Sequence, residues 1–189
     1  MRGGGCDMLS TEERKTLLKL ARDTIEARLS RKSLPESRAP DTALSQPRGA
    51  FVTLHARGRL RGCIGYVEAI KPLYETVREM AVASAFQDPR FSPLTPAEYG
   101  DIEIEISVMS PVRRVVSVEE IEVGTHGIII KRGLHQGLLL PQVATEQGWD
   151  RDTFLEHSCY KAGLGGDSWK KPDTEIYVFS AEVFSEKSF

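Results

Sequence analysis

The run Leu60-Arg61-Gly62-Cys63-Ile64-Gly65 places one thiol between two glycines, two residues after an arginine. Glycine opens backbone shapes closed to other residues and lets another group come close. A guanidinium near a thiol favours the thiolate, which is the nucleophilic form. On a regular strand Arg61 and Cys63 share a face, roughly 7 Å apart at their Cα atoms. Arg61 is therefore expected to tune Cys63 as a nucleophile or covalent carrier. The plainer alternative is a buried cysteine acting as a small hydrophobe, with glycines that serve packing or a bulge.

A nucleophile needs a base. His126, followed by Gly127 and a β-rich run, is the chosen candidate; its plainer role is a turn histidine bonded to backbone. Glu105 comes next, from the polar face of an alternating run, where a solvated face is the commoner fate. Gly62 and Gly65 are expected to admit a ligand or partner backbone. Arg90, in Asp88-Pro89-Arg90-Phe91, either binds an anion or pairs with Asp88. The histidines His55, His126, His135 and His157 and the cysteines Cys63 and Cys159 show no HxxxH or CxxC spacing, so no metal is expected. No phosphate-cradling glycine loop or nucleophile elbow is present, and no cofactor is expected.

These residues need elements to hold them. Ser10 and Glu13 form a capping-box pattern opening a helix, with Leu17, Leu18, Ala21, Ile25 and Leu29 on one face and Glu12, Lys15, Lys19, Arg22 and Glu26 on the other. Residues 31–49 read as an irregular, proline-rich connection. Phe51–Leu54 reads as a strand, residues 56–59 as a turn, and the cysteine run as the return strand. Counting back from that turn pairs His55 with Leu60 and Val52 with Cys63. Pro72 opens a helix that stops near Phe86, and residues 88–100 form a loop. Residues 101–109 alternate as a strand. Ile128–Ile130 and Leu138–Leu140 read as a hairpin with a turn over 132–137. Helices are expected over 143–147 and 150–162, the second ended by Gly163, and a last strand over 176–184. Hairpins with helices between them indicate an α+β fold, mainly antiparallel sheet flanked by helices.

The chain has 189 residues with 25 basic and 27 acidic side chains, a net charge of −2. That fits one domain, with room for two lobes, and supplies no electrostatic footprint for nucleic acid or an anionic membrane. No apolar run reaches the ~18 residues of a membrane span. An odd three cysteines without a CxxC pair are not a disulfide framework. A cytoplasmic protein is expected. Residues 1–8 read as a flexible N-terminal extension, and Met8, just ahead of the helix start, is expected as a second candidate for the initiation site beside Met1.

Several segments together resemble the AMMECR domain family. They are Pro47–Leu54, Leu60–Gly65, Phe86–Phe91, Glu103–Val108 through Ser110-Pro111, His126-Gly127, Leu140–Ala144 and Lys161–Leu164. The resemblance spans roughly residues 9–184 and is nearest the AmmeMemoRadiSam system protein A branch. It implies one AMMECR domain over 9–189, with a larger lobe built from both chain ends and a smaller one from the middle. It also implies a cytoplasmic protein acting beside a Memo-like protein and a radical SAM protein. Two functional readings stay open: an enzyme component using Cys63, or a non-catalytic adaptor whose motif shapes a ligand or partner groove.

Overall fold

The computed structural model describes residues 8–36 and 42–189. Residues 1–7, which carry Cys6 and most of the expected extension, and part of the 31–49 connection lie outside the described residues. In chain order the elements are α1 (Thr11–Leu29), β1 (Ala50–Ala56), β2 (Arg59–Tyr66), α2 (Leu73–Phe86), β3 (Ile102–Met109), β4 (Arg113–Arg114), β5 (His126–Arg132), β6 (His135–Leu139), α3 (Pro141–Gln147), α4 (Arg151–Lys161) and β7 (Glu175–Ser185). Every recorded strand pairing is antiparallel, and the fold is α+β.

The chain divides into two compact units, residues 1–109 with 182–189 and residues 110–181. In the first, β1 pairs with β2 on one side and β3 on the other. The helices cover one sheet face, because Val52, Leu54, Ile104 and Ile106 alternate inward to meet Leu17, Ala21, Ile25, Leu73, Val77 and Ala81. Each fully buried aliphatic side chain contributes about 1.5–3 kcal/mol. The α1 capping box forms as its spacing predicts: the Glu13 N–H donates to Ser10 Oγ at 3.3 Å and the Ser10 N–H to Glu13 Oε2 at 2.9 Å. Arg22 departs from the expected solvated face. It lies against the chain's end, paired with Glu186 at 2.5 Å, and donates to the carbonyls of Tyr99 and Ile102.

In the second unit β5 lies between β6 and β7, and β4 adds two residues to β7. The β5–β6 turn is tighter than expected. Arg132 pairs with His135, leaving Gly133 and Leu134 as a two-residue loop, with Gly133 at φ +58°. Residues 135–137, expected in the turn, are strand. Helix α3 starts two residues earlier than expected, since Pro141 takes its first turn, where a missing N–H costs nothing. Asp150 caps α4 through the Thr153 N–H at 2.8 Å. The core gathers Ile128, Ile130, Phe154, Leu155, Cys159 and Val178.

Candidate functional site

The β1–β2 hairpin turns through Arg57 and Gly58, at φ +52° and +74°. Such a left-handed pair twists in the sense the strands require. His55 pairs with Leu60 as counted. The register then slips: Leu54 faces Gly62 and Thr53 faces Cys63, so Arg61 is an extra residue, a β-bulge. The expected Val52–Cys63 pairing is replaced, because one inserted residue moves every later side chain to the other face. Gly62 consequently faces the helices. A Cβ there would lie 2.1 Å from the carbonyl oxygen of Ser84 in α2, so this glycine is required for packing.

Cys63 falls in a row with Thr53 and Glu105 across three strands, on the face away from the helices. Its sulfur lies 3.2 Å from Thr53 Oγ1. Its backbone is held by the loop after α2. The Cys63 N–H donates to Asp88 Oδ2 at 2.9 Å, and Arg90 Nη2 donates to the Cys63 carbonyl at 3.2 Å. Both outward polar groups of Cys63 are thus occupied, which blocks strand addition at this point of the β2 edge. Asp88 is buried, with a side chain 2% exposed, and takes three bonds from Arg90 through the backbone N–H, Nε and Nη2. Arg90 holds the Asp88 carboxyl well below the usual carboxylate range, with the Cys63 N–H helping. In return Asp88 raises the affinity of Arg90 for its proton.

Arg61 is committed elsewhere than expected. Its Nε and Nη2 donate to the Glu98 carboxylate at 2.9 and 3.3 Å, Nη2 also to the Ser92 carbonyl at 2.9 Å, and its guanidinium stands 5.9 Å from the Phe91 ring centre. Arg61 and the bonds from Thr95 lower the Glu98 carboxyl from an ordinary 4.5 to about 2. The bulge removes the simple strand geometry on which an Arg61–thiol pairing rested. Arg61 instead ties the loop over residues 88–98 to β2, and its Nη1 is buried with no partner among the described residues.

The remaining expected site residues divide between the units. Gly65 stands opposite Phe51, whose ring fills the space a Cβ would take. Arg90 pairs with Asp88, the plainer of its two expected roles, and stays half exposed. His126 starts β5 in the second unit, where its Nδ1 accepts the Glu122 N–H at 3.0 Å. Cys63 and Cys159 are free thiols, and burial pushes the Cys159 thiol up. Among the described residues no three His, Cys, Asp or Glu side chains converge to hold a metal ion, and no helix is long and apolar enough to cross a membrane. Thr53 and Glu98 were missed by the sequence reading. The alternation of β1 carries a signal for Thr53 only once the bulge is known; Glu98 has none.

The AMMECR1 family model matches residues 18–184. The chain is 47% identical to Protein MK0488 of Methanopyrus kandleri over 190 residues, covering 96% of this chain and 92% of that one. It is 46% identical to a protein of Methanothermobacter thermautotrophicus over 188 residues, covering 94% and 96%. The crystal structure of PH0010 from Pyrococcus horikoshii superposes with a TM-score of 0.80 at 38% identity, covering 95% of this chain and 94% of that one.

Proposed function

The chain belongs to the AMMECR1 family, and from that membership we propose that it is an enzyme component whose reacting group is Cys63. The observation that carries this reading is the anchoring of one residue. A buried carboxylate and an arginine fix both backbone polar groups of Cys63, and a hydroxyl stands at its sulfur. A cysteine that only fills space needs none of these partners. A reacting thiol gains from all of them, because fixing the backbone fixes where the sulfur meets its substrate. The Thr53 O–H can donate to the sulfur as it becomes anionic, and a hydrogen bond to an ionised acceptor is about twice as strong as a neutral one.

The chemistry this supports is attack by sulfur on an electrophilic carbon, or carriage of a group on sulfur. The motif set from Leu60–Gly65 through Phe86–Phe91 supports the AmmeMemoRadiSam protein A branch, and with it a cytoplasmic role beside a Memo-like protein and a radical SAM protein. The test is alkylation by iodoacetamide in the native protein, resolved by peptide mass spectrometry. Cys63 is expected to react faster than a cysteine in an unstructured peptide at the same pH. An equal or slower rate overturns the proposal.

A second reading, a binding module, draws on Arg61. Its buried Nη1 has no acceptor among the described residues, and a carbonyl or carboxylate of a ligand or partner would supply one. Co-purification with the two partner proteins separates the readings. Cys63→Ser that keeps complex formation and loses its function supports chemistry. Loss of complex formation in Arg61→Ala, with Cys63→Ser harmless, supports recognition.

A further inference from the structure

We propose that His55 accepts the proton of Cys63, an inference that rests on Cys63 being the reacting group. His55 lies two residues beyond Thr53 on β1, and Thr53 is the cross-strand partner of Cys63. His55 and Cys63 therefore share a sheet face as diagonal neighbours. Diagonal neighbours stand roughly 7–8 Å apart at the backbone, within reach of long or aromatic side chains. The bulge at Arg61 is what creates this neighbourhood. In an unbulged hairpin Cys63 would pair with Val52, whose side chain is fully buried in the helix-covered core, and would face away from His55. Bulges recur beside active sites, where they re-aim a side chain.

The imidazole is also available. It is half-buried, and among the described residues its ring makes no hydrogen bond. Glu103 stands directly opposite on β3 and is the carboxylate that can orient the ring. Glu103 is kept ionised chiefly by Lys187, with His55 adding a smaller contribution. His55 borders a cavity of about 290 Å³, whose charged walls are Arg57 paired with Asp101 and Lys187 paired with Glu103. All these residues lie in the first unit.

The alternative acceptors are less suited. Glu105 is separated from Cys63 by the intervening strand, with Thr53 in the row between them. A carboxylate is also further from a thiol in proton affinity than an imidazole is. His126 uses its Nδ1 to accept a backbone N–H. In the step, the Cys63 S–H bond breaks and its proton passes through one bridging water to the free ring nitrogen of His55, since among the described residues no hydrogen bond joins the two side chains. The sulfur lone pair forms a bond to an electrophilic carbon, and the leaving group departs with its electron pair. With iodoacetamide as the probe, the leaving group is iodide.

The experiment compares Cys63 alkylation rates in the wild-type chain, His55→Ala, His55→Gln and His126→Ala at one pH, with circular dichroism to verify folding. The expected result is a loss of at least about ten-fold in both His55 variants, with His126→Ala unchanged. Added imidazole should restore the rate in His55→Ala, whose cavity gains the room of the deleted ring, and leave the wild type unaffected. A fast Cys63 whose rate is indifferent to both His55 variants overturns this assignment and leaves the nucleophile standing. So does a loss in His126→Ala alone. A wild-type Cys63 that does not react overturns both. His55→Gln, similar in size, keeps the test sound if the alanine variant fails to fold.

Discussion

Gly62→Ala tests whether the cysteine run is built around contact with α2. The added Cβ would sit 2.1 Å from the Ser84 carbonyl oxygen and 3.1 Å from the Ser84 carbonyl carbon. Ordinary contact to that oxygen begins near 3.4 Å, so the methyl falls short by about 1.3 Å. Neither wall gives easily. Ser84 is backbone within a helix whose neighbours Ala81 and Ala85 are buried in the core, and β2 is held by β1 and by Asp88. Overpacking of this kind costs about 1–3 kcal/mol and occasionally more. A backbone collision this deep belongs at the upper end, about 3 kcal/mol. For a chain of this length that lowers Tm by roughly 6–12 °C. Thermal and urea unfolding followed by circular dichroism would measure it. Gly58→Ala is the control. That glycine has open space and a φ of +74°, so it should lose only about 1 kcal/mol to backbone strain. Gly62→Ala within about 0.5 kcal/mol of wild type would refute the packing account and return this glycine to ligand approach.

Three further outcomes are expected. Thr53→Val removes the hydroxyl at the sulfur while keeping a β-branched strand residue, so native Cys63 alkylation should slow severalfold with little loss of fold; an unchanged rate makes the 3.2 Å contact idle. Glu98 has a lower pKa folded than unfolded, so its contribution to stability is complete above the ordinary 4.5 and is lost as pH falls towards about 2. Urea midpoints of wild type should therefore drop over that window, and Glu98→Gln should drop less; parallel curves would contradict the ion pair with Arg61. Cys159 is fully buried, so pulsed alkylation should spare it in native protein and label it once urea unfolds the chain; labelling at the native rate of Cys63 would contradict its burial.

Much of this protein was legible without coordinates. The capping box at Ser10, the alternation through Ile102–Val108, the stop after Phe86 and the hairpin turn at Arg57-Gly58 depend on interactions within a few residues. Local sequence therefore carries them. The cysteine run was likewise visible as the place to look. Its chemistry was not, because the decisive event is a single extra residue in β2. The glycines allow a bulge in this run but do not place it at Arg61, and its position reverses which face Cys63 shares. It puts the thiol beside Thr53 rather than Val52, and it leaves Arg61 to Glu98, thirty-seven residues away. The sequence leaves Arg90 either to bind an anion or to pair with Asp88, and the role of that pair as the seal on the Cys63 peptide depends on where the loop after α2 returns. The sequence alone determined the elements and the family, through short-range periodicity and motif order. Register and loop return were decided only in three dimensions: the register is tied to packing β2 against a helix whose carbonyl leaves room for no side chain at Gly62, and the loop return to long-range bonds from Arg61 and Asp88.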